Sequence, residues 1–339
     1  EARSELHRTM PLSGLLVLLA VRACAASVRG GVPGGERVGA RVAAPSYSTQ
    51  DTHSAVERMM KEYDPALLWA SRLLPLQTAQ DAGALYAWCR RLDQIVDTPD
   101  SDDAKKRAAL DEWKVRLDML WKGAPTDALD AALSSTVSRH PTLHKAPFED
   151  MLAGMRADAV AQRRICSFNP DLIEYGYQVA GTVGLMLLPL LGVTTELEQA
   201  KARIPAVALG TAIQIINIIR DVKADVALGR VYLPQDEMSR LGVREEDVMA
   251  GVCTPAYRRL IRRQARRAAV LLRSAEAGAH QLPHHSPALA LVIIEMYREY
   301  LLELEYRGYD NLSGGRISIS AGRKIIATVR ALKKHVQAL

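Results

Sequence analysis

Phenylalanine is almost missing from this 339-residue chain. Only Phe148 and Phe168 occur, so the core must rest on Leu, Ile, Val and Ala. Cysteine is scarce too. Cys24, Cys89, Cys166 and Cys253 are scattered with no CxxC spacing, which speaks against a disulfide framework or a zinc site and for a reducing compartment. The net charge of +6 is mild, and part of it belongs to the N-terminal stretch, too little to argue for nucleic acid as a partner. There is no alternating strand pattern of useful length, no repeat, no low-complexity linker and no GxGxxG loop. What remains is a composition of 48% hydrophobic and 24% charged residues, that of a soluble globular protein.

From about Ser54 onward the periodicity is helical. Apolar residues recur at three and four over 65–76, 79–97, 103–122, 127–139, 148–163, 171–191, 196–225, 255–281, 287–307 and 321–336. Breaks fall at turn-forming sites such as Pro99, Gly123-Ala124-Pro125, Pro141, Asn169-Pro170, Gly192, Pro234, Pro283 and Gly314-Gly315. One all-α domain over residues 53–339 follows.

Residues 1–52 read as a leader. Met10 precedes an apolar run from Leu12 to Val21 that is too short to span a bilayer, and Ala23-Cys24-Ala25-Ala26 offers small residues for cleavage. Arg29, Arg37 and Arg41 follow, with Glu36 the only acid before Asp51. A signal peptide joined to a transit peptide has this form and would direct the chain to a plastid bounded by extra membranes. A plain organellar transit peptide is the alternative.

The chemistry is concentrated in two stretches. Gln214, Asn217, Asp221 and Asp225 fall at steps of three, four and four, which stack them along one face of an otherwise Ile-rich helix. Tyr86, Arg90, Asp93 and Asp97 fall at steps of four, three and four on a second apolar helix. A single DxxxD pair is common and usually solvated. Two pairs, each beside an arginine, suggest carboxylates facing each other across a bundle to hold Mg²⁺, with Mn²⁺ as the other candidate. Mg²⁺ takes one or two carboxylates and completes its shell with water and phosphate. Arginines among the acids would then bind the same anion.

Two further stretches stand out. Val179 to Leu191, the most apolar part, reads as a tightly packed core helix, with Gly181, Gly184 and Gly192 giving room between helices. Arg258, Arg259, Arg262, Arg263, Arg266 and Arg267 share one side of a helix, opposite Leu260, Ile261 and Val270. That side is a solvated face or a contact with a membrane surface.

These residues resemble a known family. Asn217-Ile218-Ile219-Arg220-Asp221-Val222-Lys223-Ala224-Asp225, followed by Gly229-Arg230-Val231-Tyr232-Leu233-Pro234, is similar to the second aspartate motif of the squalene/phytoene synthases, and Tyr86 to Asp97 resemble the first. Gly154-Met155-Arg156-Ala157-Asp158 and Tyr175 to Met186 resemble the phytoene-forming branch, and Tyr309-Asp310-Asn311-Leu312 is a weaker match. The resemblance runs from about residue 55 to the end. It implies an isoprenoid-synthase-type helical bundle around a central prenyl-chain cavity, and head-to-head joining of two allylic diphosphates. Asp93, Asp97, Asp221 and Asp225 would hold the metal. Arg90, Arg220 and Arg316 would clamp phosphate, and Tyr175, Gln214 and Asn217 would line the second stage, with Tyr232 beside them. Val179, Ala180, Gly184 and Leu187 would form the tunnel wall.

The implied substrate is geranylgeranyl diphosphate, with no nicotinamide cofactor and a peripheral membrane location in a plastid. Farnesyl diphosphate, joined to squalene with NADPH or to dehydrosqualene, is the rival. A non-enzymatic assembly-factor relative would be expected to lose the aspartates, and all four are present. The chain departs from the family in three places. Ala66-Leu67 stands where Ser-Phe is usual, Ile165 or Cys166 replaces a Tyr before Phe168, and one residue is inserted between Phe168 and Tyr175.

Overall fold

Helices α1 (Thr49–Tyr63), α2 (Leu76–Val96), α3 (Asp103–Trp121), α4 (Ala128–Arg139) and α5 (Ala146–Asp158) form one half of the bundle. Short helices α6 (Ile173–Gly176) and α7 (Thr182–Leu187) lead into the long α8 (Glu196–Ala227). Then come α9 (Gln235–Leu241), α10 (Glu245–Met249), α11 (Pro255–Ala279), α12 (Ser286–Tyr306) and α13 (Ala321–Gln337). The computed structural model describes residues 47–64, 68, 75–98, 102–160, 162–283 and 286–337. Among them there is no strand beyond one isolated bridge, Arg164 to Val231, so the all-α expectation holds.

Helix α8 is the central strut. Thr195 and Glu198 form a capping box at its start, and residues such as Ala212, Ile215, Ile216 and Ile219 are buried along its length. Its broad apolar surface has the physical reason expected of a helix enclosed by others. Its most extensive partner is α11, and α12 packs against both α11 and α13. In the other half the scarce Phe148 sits at the centre. Its ring meets Trp88 and Trp121 edge to face, each at 4.9 Å between centroids.

Several boundaries differ from the periodicity. The first helix begins at Thr49, where the Ser48 hydroxyl accepts from the Asp51 amide and the Asp51 carboxylate accepts from the Ser48 amide in return, so the limit drawn at residue 52 falls inside α1. Helix 148–163 stops at Asp158, because the chain then extends to bridge Val231. The span 171–191 is not one smooth helix. Wide π-type turns at Phe168–Leu172 and Tyr177–Gly181 interrupt it, and Gly192 ends it at φ 91°. Helices α9 and α10 were not anticipated, being too short to show a period. Val270 is 53% exposed and shares the outer face of α11 rather than opposing its arginines. Of those arginines, Arg258 pairs with Asp310, and Arg263 and Arg267 pair with Glu237, so half of the row is tied down. Residues 1–46 of the leader, and Ala66, Leu67 and Ser71, lie outside the described residues.

Candidate active site

The two acidic stretches are held on α2 and α8. Asp93 lies in the last turn of α2, and Asp97 is its C-cap rather than a helical residue, with its amide donating to the Asp93 carbonyl at 2.8 Å. Asp93 is set inward: Oδ2 is buried and has no hydrogen-bond partner among the described residues. Burial first, and then the Asp97 charge, push its carboxyl well above the usual range, against the pull of Arg90. Asp97 is half-exposed and lies 3.6 Å from Arg230.

On α8 the pair behaves unequally. Burial would raise the Asp221 carboxyl, but hydrogen bonds from Arg220 and Arg316 hold it below the usual range. Arg220 Nε donates to it at 3.0 Å, and Arg316 at 2.6 and 3.0 Å. Among the described residues Asp225 has no such clamp. Burial and the neighbouring Asp221 charge push it well above the usual range, with Arg230 acting against them.

A carboxylate that the spacing analysis did not select lies between the two helices. Asp158, at the end of α5, is buried and accepts from the Tyr175 hydroxyl at 2.7 Å and the Tyr232 hydroxyl at 3.2 Å. The two phenol rings stack at 5.3 Å. Burial raises the Asp158 carboxyl to about 6, even with those bonds and Arg230 and Arg163 nearby. Its charge in turn raises both Asp93 and Asp225. The two acidic stretches therefore converge electrostatically on Asp158. The sequence signal was its place closing the Gly154–Asp158 segment. Arg230 was likewise missed, though it faces Asp97, Asp158 and Asp225 at once.

The arginines are placed to receive an anion. Arg90 is buried over the Tyr63 ring at 4.5 Å, and its Nε has no partner among the described residues. Arg220 is buried over Tyr300 at 5.5 Å, with one terminal nitrogen unpartnered. Asn217 is buried between Asp221 and Gln214, and neither polar atom of its amide has a hydrogen-bond partner among the described residues. Unsatisfied buried donors beside unsatisfied carboxylates cost stability unless a ligand completes them.

Gln214 joins this polar stripe to an apolar cavity. Val179, Ala180, Gly184 and Leu187 all line that cavity, which encloses about 910 Å³ of empty space including its open mouth. The glycine acts differently from expectation. A Cβ at Gly184 would stand 2.8 Å from the Ala206 carbonyl, so this residue serves close helix contact as well as cavity width.

The aspartates suit a hard divalent ion. Asp93 keeps an orphaned buried oxygen, and Asp93 and Asp225 are strained by like charge. No group of three or more His, Cys, Asp or Glu converges on one point among the described residues.

Comparison with known proteins adds the family. Residues 60–323 match squalene/phytoene synthase. Phytoene synthase 1, chloroplastic, of Zea mays is 37% identical over 294 residues, covering 86% of this chain and 70% of that protein. Phytoene synthase 2, chloroplastic, of Solanum lycopersicum is 39% identical over 267 residues, 78% of this chain and 84% of that one. The crystal structure of a dehydrosqualene synthase in complex with ligand aligns with a TM-score of 0.73 at 30% identity, over 86% of this chain and 98% of the other. With two acidic helix stripes, an apolar cavity along one of those helices and this likeness over most of its length, the chain belongs to the squalene/phytoene synthase family of prenyltransferases.

Proposed function

We propose that this protein joins two molecules of geranylgeranyl diphosphate head to head, through a cyclopropylcarbinyl diphosphate, to give phytoene, the first committed step of carotenoid biosynthesis. One observation carries the reading: the helix that presents Asn217, Asp221 and Asp225 also presents Gln214 to the apolar cavity. A charged head and a hydrocarbon tail are thus accommodated along a single strut, and the likeness to plant phytoene synthases supports the C20 substrate.

Asp93, Asp97, Asp221 and Asp225 would hold Mg²⁺, which when bound neutralises charge on a departing diphosphate. Arg90, Arg220 and Arg316 contribute donors for the diphosphate oxygens and so favour ionisation of the allylic C–O bond. The second substrate's double bond captures the allyl cation, and loss of a first proton closes the cyclopropane ring. Val179, Ala180, Gly184 and Leu187 keep the tails dry, which protects each cation from water. Tyr175, held by Asp158 and stacked on Tyr232, lines the second ionisation and rearrangement together with Gln214 and Asn217. Loss of a proton then yields the triene.

The chloroplastic relatives support a plastid location, and residues 1–46 would supply the targeting leader in either the bipartite or the plain form. The outer face of α11, with Arg259, Arg262, Arg266 and Arg273 around Val270, offers a surface for peripheral contact with anionic lipid.

The deciding experiment is incubation of the purified protein with C20 or C15 diphosphate and Mg²⁺, with and without NADPH. A C40 triene from the C20 substrate, independent of NADPH, is expected. Turnover of farnesyl diphosphate alone would replace this reading with the squalene or dehydrosqualene one, which the likeness to the dehydrosqualene synthase structure keeps in view.

A further inference from the structure

The lining of the cavity has a definite direction. On α8 its lining runs from Gln214 back to Ala202, about 18 Å at the helical rise per residue. The polar stripe leaves Gln214 in the opposite direction, toward Asp221 and Asp225. A diphosphate at the stripe therefore sends its tail toward Ala202. Helix α11 runs antiparallel beside it. At one end Tyr257 bonds Asn311, which donates to the Ile219 carbonyl. At the other end Gly278 lies against Pro205, so close that a Cβ on Gly278 would be 2.2 Å from the proline ring.

That contact leaves no gap between α8 and α11 at this level. Proline lacks the N–H that an ordinary residue would direct back into the helix, so its ring can occupy the seam. Around it Ala202 and Ala279 are buried, and half-buried Leu282 enters from the loop that follows α11. Three of these four positions carry small side chains. Bulk added there would subtract from the depth of the cavity and leave the metal-facing end untouched.

Resting on the prenyl-transfer reading above, we infer that Ala202, Pro205, Ala279 and Leu282 form the floor that sets prenyl chain length. The space they leave is hydrocarbon-lined and admits the last isoprene unit of a C20 tail. A side chain that fills the floor excludes that unit and leaves room for a C15 tail.

The test is competition among C15, C20 and C25 diphosphates for the unaltered protein and for Ala202→Leu, Ala279→Leu and Leu282→Ala, each with a melting curve. The two leucine variants should lower the C20-to-C15 rate ratio by at least about tenfold, the scale on which a pocket discriminates added methylenes, while C15 turnover persists. Retained C15 turnover also shows that each variant is folded with its metal-facing end intact. Leu282→Ala should gain turnover of the C25 substrate. Leucine variants that turn over C15 and keep the original C20-to-C15 ratio would overturn the floor. If Ala279→Leu does not fold, Ala202→Leu and Leu282→Ala still decide. Should the unaltered protein use none of the three substrates, the functional reading itself fails, and the floor with it.

Discussion

Arg316 grips Asp221 from a loop 95 residues further along the chain, with Nε and Nη2 at 2.6 and 3.0 Å from the two carboxylate oxygens. Arg220 holds the same carboxylate from the adjacent position. Asp221 is thus an anion already balanced by cations, whereas Asp93 is one that burial and Asp97 oppose. The two first aspartates of the motifs are not equivalent.

Substitution by Asn should separate them. Both Asp93→Asn and Asp221→Asn should lose turnover by orders of magnitude and need more Mg²⁺ for what remains. Spacing alone predicts unchanged or raised stability for both, because like charges are relieved. The structure keeps that outcome for Asp93→Asn. Asp221→Asn should instead cost about 1–3 kcal/mol, because buried Arg220 loses its anion. The Asp221 carboxyl is held below its unfolded value, so its contribution is present at neutral pH and disappears as pH falls through the folded value. Melting curves at pH 7 beside product formation against Mg²⁺ check both parts. Equal melting temperatures for the two variants would contradict the inequality.

Asp158 should show the opposite pH sign. Its folded value near 6 lies above that of an unfolded aspartate, so its stability contribution is complete below about pH 4 and is lost as pH rises through 6. The difference amounts to about 2–3 kcal/mol. Asp158→Asn should therefore raise the melting temperature of the metal-free protein more at pH 7.5 than at pH 4.5. Turnover should fall, since Tyr175 and Tyr232 lose a charged acceptor. A gain of equal size at both pH values would show that the carboxylate is not penalised by its surroundings.

Glycines at the α7–α8 crossing should resist even a methyl group. A Cβ on Gly210 would lie 2.4 Å from the Ala180 carbonyl, and one on Gly184 2.8 Å from that of Ala206. Both neighbours are backbone, which cannot rotate away. Gly184→Ala and Gly210→Ala should each destabilise by about 1–3 kcal/mol through overpacking, despite alanine's better helix propensity. Denaturant melts measure this directly. A stabilised Gly210→Ala would mean that the crossing has slack.

Removal of residues 1–45 should leave folding and turnover intact. A chain starting at Ser46 keeps the Ser48 cap of α1 and the Tyr47 hydroxyl bond to the Thr126 carbonyl at 3.0 Å. A chain starting at His53 loses the cap and first turn of α1, and should melt earlier by about 1 kcal/mol or more. Equal melting for the two truncations would show that α1 is stable without its cap.

Much of this protein was legible in one dimension. Helical periodicity, the poverty in Phe and the two DxxxD stripes depend on residue spacing, and an α-helix converts spacing of three and four into one face whatever surrounds it. That Val179, Ala180 and Leu187 line a cavity was not legible in the apolar run, which by itself reads as a packed core helix; it followed from the family resemblance. Other features required the tertiary structure, because they arise between segments far apart in the chain. Asp158 carries no periodic partner; only the folding of α5 against Tyr175 and Tyr232 brings its charge to bear on both Asp93 and Asp225. The unequal charge state of Asp93 and Asp221 depends on Arg316 arriving from a distant loop. The close contact of Pro205 with Gly278 joins two helices far apart in the chain. Sequence sets which side chains share a face, while burial and distance between faces decide which of them are charged, which are paired and how much room is left.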